Sequence, residues 1–415
     1  MKKISIILLV LGLLSSVEMN ATDGYFMLGH GTISKGLGGT GVAYYRTSII
    51  GGNPAGNAFL GKQYSIAAGI FLPDREYTIA GAPSGPPAFS LIPGTVTSDS
   101  KVIFVPSLGA NWQINEKSAF GISIYGGGLS TNYPTATFHD PTSETTGVNL
   151  TQLMANPTYS MKLGEKHGIG LSAIISYQMF KADGLATFGA GGMSSNAEKL
   201  SGNGTDTNLG FGFKIGYMGE IATGFHVGAT FQSRLYASKL KEYAGLFAEE
   251  GGFDTPANWT VGLNYELSNK LRLLFDVQQI YYSSVKSIGS PLSKLMEGNL
   301  LGTDDGPGFG WEDMTIFKLG AEYEANEAWI FRVGGAYGKQ PIPESEVMFN
   351  ILAPAVNETH LTLGLTKNIG TEGKAVNFAL THGLNNTVKG QNPLDPAQTI
   401  EIGMNVTEIE LSFTF

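Results

Sequence analysis

The sequence predicts an all-β protein, a transmembrane antiparallel β-barrel of about fourteen strands. Three observations support this prediction: apolar and polar residues alternate along many segments, short and long connections alternate between them, and charged residues are scarce. Side chains of a strand point alternately to the two faces of a sheet, so each segment has one apolar and one polar face. An apolar outer face and a polar inner face are typical of barrels that span a membrane. The last strand shows the pattern, with apolar residues at Ile409, Leu411, Phe413 and Phe415.

The connections predict how the barrel is oriented. Short turns are predicted near residues 115–117, 164–167, 219–224, 268–270, 324–327 and 370–374, and longer loops near 73–100, 131–147, 184–206, 240–257, 287–312, 339–357 and 388–397. The barrel, residues 62–415, therefore begins and ends on the side of the short turns, which faces the periplasm in such proteins. Aromatic residues close to that side predict an interfacial girdle. Its predicted members are Trp112, Tyr217, Phe225, Tyr265, Tyr323, Trp329 and Phe415.

The N-terminal residues 1–21 are predicted to be a cleaved signal peptide, with an uncleaved anchor as the alternative. Two lysines precede the apolar run Ile4–Leu14, and small and polar residues follow it. The run is too short for a membrane-spanning helix, which needs about 20 residues.

The composition narrows the range of functions. Charged residues are 15% of the chain, against about 25% in typical soluble domains. The chain has no cysteine, which excludes disulfide and thiol chemistry, and its net charge of −9 is not clustered, which argues against nucleic acid as a partner. The six histidines have no metal-ligand spacing and no G-x-S-x-G motif occurs. We therefore expect no cofactor, no metal and no catalytic residues.

Residues 22–61 lack strand alternation and are predicted to form a plug, or hatch, inside the lumen; a disordered leader is the alternative. Their "GLGGTG" matches G-x-G-x-x-G, but a dinucleotide site also needs a preceding strand, a following helix and a later acidic residue, which are missing. Glycine permits the tight packing that a plug requires.

The phase of the last strand reverses above Thr407. Apolar residues stand at positions that should face the lumen: Ile400, Ile402, Met404 and Val406. Two explanations remain open: a β-bulge near Thr407 resets the register, or the upper barrel has an apolar lumen and stands clear of the bilayer.

The segments "SKGLGGTGVA" and "GGNPAGNAF" resemble the hatch of the FadL family of outer-membrane transporters for long-chain fatty acids and aromatic hydrocarbons. The resemblance continues through "NLLGTDDGPGFGWEDM", "YGKQPIPESEVMFNILAPAVNETHLTLG" and the terminal phenylalanine. It implies a fourteen-stranded barrel, a hatch motif at Asn53, Pro54 and Ala55, a ligand groove among the outer loops, and lateral exit at a kink in the third strand. The chain departs from the family in its short third outer loop, residues 184–206, and in Tyr44-Tyr45-Arg46, which would alter the pocket floor.

The candidate site residues follow from local chemistry combined with this resemblance. Asn53 and Pro54 predict a tight turn that either gates ligand passage or only shapes the plug. Gly126, Gly127 and Gly128 interrupt the third strand and predict either a lateral opening or a simple barrel corner. Leu246, Phe247 and Phe253 form an apolar cluster in an outer loop, which indicates a ligand groove or loop packing. An acidic cluster can bind Ca²⁺ or be a solvated loop: Asp304, Asp305, Glu312 and Asp313.

The predicted function is passive uptake of hydrophobic molecules across the outer membrane of a Gram-negative cell, without chemistry. A general porin and a barrel-embedded lipid hydrolase are the alternatives. The expected partners are a hydrophobic small molecule, outer-membrane lipid and lipopolysaccharide, and the expected state is a monomer. The sequence does not separate a fatty acid from an aromatic hydrocarbon as cargo.

Overall fold

The computed structural model describes residues 23–49, 52–370 and 373–415, so the predicted signal peptide lies outside the described residues. Fourteen strands form a closed antiparallel barrel in which each strand pairs with the next along the chain. The last strand closes the barrel on the first, in continuous register from Ser65–Thr414 to Ala80–Thr399. The predicted fold class is confirmed.

The barrel strands have the following bounds. They are β1 (Gln63–Ala80), β2 (Ile103–Gln113), β3 (Ser118–Ser130), β4 (Gly147–Leu163), β5 (His167–Asp183), β6 (Asp206–Ala222), β7 (Phe225–Gln232), β8 (Asn258–Ser268), β9 (Leu271–Ile280), β10 (Met314–Asn326), β11 (Trp329–Tyr337), β12 (Thr359–Ile369), β13 (Lys374–Asn392) and β14 (Asp395–Thr414). Two short strands extend the sheet outside this ring: Gly94–Thr97 pairs with β1 and Tyr236–Ala237 pairs with β6.

Two connections differ from the sequence prediction. The loop predicted at 388–397 is a tight hairpin, because β13 continues to Asn392 and β14 begins at Asp395. The loop predicted from residue 73 begins only after Ala80. In both places the strands continue with polar residues on their outward face. They therefore lack the apolar and polar alternation that marks a lipid-facing strand.

The structure settles the phase reversal in β14. Side chains at even positions stay buried from Ile400 to Thr414, and pairing with β1 has no break. The bulge proposed near Thr407 is therefore wrong, and the lumen of the upper barrel is apolar. A register shift lies instead between Gly383 and Asn386 on the β13 side.

The outer surface carries a broad apolar band. On β6, for example, Leu209, Phe211 and Phe213 are exposed, while Lys214 on the other face is buried. All seven predicted girdle residues are exposed or half-buried. In this group Trp112 donates from Nε1 to the Tyr64 hydroxyl over 3.0 Å, and Tyr64 in turn contacts Phe415.

The hatch segment, described residues 23–49 and 52–61, lies inside the barrel. It contains the helix α1 (Thr32–Lys35), a 3₁₀ turn (Pro54–Gly56) and the helix α2 (Asn57–Leu60). In the described ranges no helix is long and apolar enough to cross a membrane. The outer loops contribute α3 (Ala186–Ala190), α4 (Ala248–Gly251), α5 (Lys286–Gly289), α6 (Ser293–Met296), α7 (Val347–Asn350) and 3₁₀ turns at Ala197–Lys199, Lys241–Tyr243, Tyr282–Ser284 and Glu344–Glu346.

Candidate functional site

Glycines of the wall let the hatch segment approach the strand backbones closely. A Cβ atom on Gly228 would lie 2.1 Å from the Val42 carbonyl oxygen, and one on Gly334 would lie 2.2 Å from the Gly38 nitrogen. A larger residue at either position would push the hatch segment away from the wall. The backbone of the hatch segment therefore packs directly against the backbone of the wall strands at these glycines.

Buried ion pairs also hold the hatch segment. Lys35 in α1 contacts Glu408 and lies 2.6 Å from Glu410, both on β14. Near the start of the hatch segment, Lys318 on β10 lies 2.7 Å from Asp23. The charges of Lys35 and Lys318 are thus neutralised by carboxylates of the same chain.

A second charged cluster lies near the end of the barrel that carries the short turns. The Glu322 carboxylate accepts from Arg332 over 2.7 Å and from Arg272 over 3.0 Å. Tyr44 and Arg46 of the hatch segment contact the same carboxylate. The unusual Tyr44-Tyr45-Arg46 sequence therefore joins the hatch segment to this wall cluster.

The Asn53-Pro54-Ala55 turn is seated against β4, β5 and β6. The Asn53 side chain is buried, donates to the carbonyls of Val42 (2.6 Å) and Tyr217 (2.9 Å), and accepts from the Ala55 amide (3.0 Å). Ser160 donates to the Pro54 carbonyl over 2.7 Å. The gating role of the turn stays a prediction, and its contacts make it a point where the hatch segment is fixed.

We expect the double substitution Asn53→Ala and Pro54→Ala to lower uptake of a hydrophobic substrate while the barrel still assembles. It removes two bonds to backbone carbonyls and the cap of the 3₁₀ turn, but no strand ladder. Uptake by whole cells and heat-dependent migration on a detergent gel check the two halves of this prediction. Unchanged uptake, or a barrel that fails to assemble, would contradict it.

The wall opens between β2 and β3. These strands pair only from Ser107–Tyr125 to Gln113–Ala119. Beyond Ser107, β2 still pairs with β1, and beyond Tyr125, β3 still pairs with β4. A gap therefore separates residues 103–106 from residues 126–130.

Proline and glycine explain why the ladder stops at this point. Pro106 has no N–H to donate. Gly128 has φ of 136°, and a Cβ atom there would lie 2.0 Å from the Leu150 carbonyl oxygen. Only glycine fits this bend. The sequence indicated the β3 side of the gap but not the β2 side, although a proline inside an alternating segment is the signal that could have found it.

A cavity of about 540 Å³ lies at the gap. Inward-facing residues such as Met404 and Val406 line it, and so do outward-facing residues such as Phe104 and Leu153. Gly126, Gly127 and Gly128 are part of its rim. The cavity is therefore lined by residues of both faces of the wall, and the role of Gly126, Gly127 and Gly128 as a lateral opening stays a prediction.

A second cavity, of about 110 Å³, lies between the hatch segment and the wall. The hatch segment contributes apolar side chains such as Leu28 and Val42, and the wall contributes polar side chains of β6 to β9. Tyr44, Tyr45 and Arg46 line it as well. Residues Tyr25–Leu28 line both cavities, which are therefore neighbours.

The outer loops form an apolar cap over the lumen. Phe247 and Phe253 are buried and contact each other with ring centroids 4.8 Å apart. Leu246 and Phe247 line a small cavity of about 20 Å³ together with Phe188. The short third outer loop, residues 184–206, buries its Phe188 in this cap. The role of the cluster Leu246, Phe247 and Phe253 as a ligand groove stays a prediction.

Polar contacts connect the outer loops to one another. Asp140 accepts from the Ala186 amide over 2.8 Å and from the Thr142 hydroxyl over 2.6 Å. Burial opposes the charge of Asp140, but these hydrogen bonds prevail and lower the pKa of the carboxyl. In the acidic loop, Asp305 pairs with Lys286 over 3.3 Å. Across the described ranges, no group of three or more histidine, cysteine or acidic side chains is placed to hold a metal ion.

These features define a class of protein: an outer-membrane β-barrel with an occupied lumen and an interrupted strand ladder in its wall. The chain belongs to the family described as "Outer membrane protein transport protein (OMPP1/FadL/TodX)", which matches residues 28–407. The expected resemblance and the outer-membrane location are confirmed, and the family is one of transport proteins.

Solved structures of other proteins have the same fold. The P. putida toluene transporter TodX has a TM-score of 0.70 and 16% identity, covering 93% of this chain and 98% of that chain. A Pseudomonas aeruginosa FadL homologue has a TM-score of 0.69 and 14% identity, covering 94% and 99%. The Ralstonia pickettii toluene transporter TbuX has a TM-score of 0.61 and 18% identity, covering 92% and 98%. Among curated protein sequences, none matches this chain.

Proposed function

We propose that the protein takes up hydrophobic molecules passively across the outer membrane and releases them sideways into the membrane through the gap between β2 and β3. The observation that carries this proposal is the cavity at the gap, whose lining includes both lumen-facing and lipid-facing side chains. Cargo would pass from the outer loops to the cavity beside the hatch segment and then to the gap.

The physical reason for sideways release is the solubility of the cargo. An apolar molecule released into the aqueous periplasm loses about 25 cal/mol for each Å² of surface that was buried. Release into lipid avoids this loss. The hatch segment favours the same route, because its backbone contacts and buried ion pairs oppose passage straight down the lumen.

The remaining features of the proposal follow from the family. The cargo is a long-chain fatty acid or an aromatic hydrocarbon, as in the toluene transporters named above, and it leaves chemically unchanged. Residues 1–21 act as the signal peptide, residues 22–61 as the hatch and residues 62–415 as the barrel. The protein works as a monomer surrounded by outer-membrane lipid and lipopolysaccharide.

A reversible cross-link across the gap tests this proposal. Val105→Cys and Gly127→Cys introduce thiols on the two sides of the gap, and the chain has no native cysteine to interfere. A bifunctional methanethiosulfonate that joins them should block uptake of a labelled fatty acid and of toluene, and a reductant should restore it.

The control is a thiol pair in the intact part of the same ladder. Leu108→Cys and Ile124→Cys lie directly opposite each other where β2 and β3 are paired. Joining them should leave uptake unchanged. Uptake that continues with the Val105–Gly127 link verified as closed would mean that the cargo takes another path.

A further inference from the structure

The gap between β2 and β3 is bounded at both ends. On the side of the short turns it ends where the ladder of the two strands begins, at the pair Ser107–Tyr125. On the side of the outer loops it ends at hydrogen bonds that join residues 98–100, just before β2, to residues 130–132, at the end of β3. We call these hydrogen bonds the upper seam. The gap is therefore a window with two closed ends rather than an open notch.

The hydrogen bonds of the upper seam are made partly by side chains. The Asp99 amide donates to the Asn132 carbonyl over 2.7 Å, and the Asn132 amide donates to the Ser98 hydroxyl over 2.9 Å. The Ser100 hydroxyl donates to the Ser130 hydroxyl over 2.8 Å. Because serine hydroxyls take part, a substitution can weaken the upper seam and leave the strand ladders intact.

Arg75 of β1 closes the upper seam from the lumen side. Its side chain is buried, and its Nη1 atom donates to the Ser130 carbonyl over 2.7 Å. Two residues along β1, Tyr77 packs against Tyr133 with ring centroids 4.8 Å apart and shares a hydrogen bond with the Thr137 hydroxyl over 2.9 Å. Since β1 and β3 are not neighbours in the sheet, Arg75 and Tyr77 reach past β2 to hold the end of β3.

The cavity at the gap is polar at the upper seam and apolar below it. Arg75, Ser100 and Ser130 line the polar end, and residues such as Phe104 line the apolar part. Cargo that crossed at the seam would separate the guanidinium from the Ser130 carbonyl and leave two buried polar groups without partners, which is costly. Apolar cargo therefore crosses between the seam and the ladder. Residues 126–129 of β3 span this opening, which corresponds to about 13 Å of extended chain.

We propose that Arg75, through its bond to Ser130, limits the width of the cargo that the gap admits. This inference rests on the proposed function and assigns a specificity-determining residue to the proposed exit. Narrow molecules, such as an unbranched chain or a single aromatic ring, pass while the upper seam is closed. Wide molecules, such as fused rings, require the upper seam to part. Arg75 acts by positioning the end of β3 and not by binding cargo, so its loss changes selectivity by width.

Uptake of matched narrow and wide probes by whole cells tests the inference. The pairs are dodecanoate against pyrenyldodecanoate, and toluene against triisopropylbenzene. We expect the wild-type protein to take up the narrow member faster than the wide member in the pair that it transports. Arg75→Met should raise the ratio of wide to narrow uptake by about three- to tenfold, because it removes a hydrogen bond that closes the upper seam. Arg75→Lys keeps a donor for the Ser130 carbonyl and should return the ratio toward the wild-type value.

Two further variants make the result specific. Ser98→Ala removes the acceptor of the Asn132 amide and should raise the same ratio by about two- to fivefold. It carries the test if Arg75→Met fails to assemble. Arg234→Met is the matched control, because Arg234 also donates to a backbone carbonyl, that of Ser284 over 2.9 Å, but lies after β7 and does not line the cavity at the gap. It should leave the ratio unchanged.

A cross-link shows whether the upper seam itself is responsible. Asp99→Cys and Asn132→Cys place thiols on its two sides, and the chain has no native cysteine. Joining them with a bifunctional methanethiosulfonate in the Arg75→Met background should restore discrimination against the wide member. A ratio that stays high with the link verified as closed would contradict the inference.

The remaining outcomes separate this inference from the proposed function. Equal uptake of narrow and wide members by the wild type, or an unchanged ratio in Arg75→Met, would overturn the inference. The proposed exit would still stand if the link between Val105→Cys and Gly127→Cys blocks uptake of the narrow member. If that link leaves narrow uptake undiminished, the proposed exit is overturned as well.

Discussion

Replacing Gly127 with tryptophan should reduce uptake of hydrophobic cargo by about tenfold or more, equivalent to a barrier increase of about 1.4 kcal/mol. Gly127 lies at the rim of the wall gap, and the nearest heavy atom to a Cβ built there is the Met27 Cγ atom at 3.8 Å. The backbone can therefore accept a side chain, and the indole would fill the passage. Initial uptake rates in cells with equal amounts of assembled protein measure the effect.

Two variants separate blockage of the gap from damage to the barrel. Leu319→Trp adds the same side chain at an exposed position of the lipid-facing surface and should leave uptake unchanged. Gly128→Ala should disturb β3 itself, because a Cβ atom at that position would lie 2.0 Å from the Leu150 carbonyl oxygen. If Gly127→Trp transports at the wild-type rate, cargo does not cross the wall at this point.

The barrel was predictable because its pattern is local. Alternation along β6 or β14 reports which residues face lipid without any knowledge of neighbouring strands. The pattern failed where the outward face is polar, at the β13–β14 hairpin and at the upper part of β1. In these segments apolar and polar residues do not alternate as they do in a lipid-facing strand. At the hairpin, turn residues such as Pro393 also favour a loop prediction.

The gap was only partly predictable because it is a property of two strands. Gly126, Gly127 and Gly128 indicated a weak point in β3, but a ladder opens only where both partners permit it. The contribution of β2 is evident only from the strand register, in which pairing with β3 stops at Ser107, next to Pro106.

The attachment of the hatch segment depends on contacts that are distant in sequence. Lys35 is separated by 373 residues from Glu408 and by 375 from Glu410. The Thr32 hydroxyl donates to Glu410 as well, over 2.6 Å. No local pattern indicates such a cluster, although three charged residues buried in a lumen must be paired. Substitution of Lys35 therefore tests whether this cluster holds the hatch segment against the wall.

We expect Lys35→Met to release the hatch segment from the barrel wall. The substitution leaves two buried carboxylates without their cation, a loss of about 3–5 kcal/mol for breaking a buried pair. The barrel should remain closed, because β14 keeps its ladders to β1 and β13. A barrel of this size with its plug displaced admits water and ions. Ion conductance in planar bilayers should therefore rise above that of the wild-type protein.

A rescue variant distinguishes loss of the ion pair from loss of packing by the lysine side chain. Lys35→Met combined with Glu408→Gln and Glu410→Gln removes all three charges and keeps side chains of similar size. Because no uncompensated charge remains, the triple variant should return conductance toward the wild-type level. If Lys35→Met conducts no more than the wild type, the ion pairs do not hold the hatch segment, and the close backbone contacts at Gly228 and Gly334 are sufficient. If the triple variant conducts as much as Lys35→Met, the attraction between Lys35 and the two carboxylates is itself what the hatch segment requires.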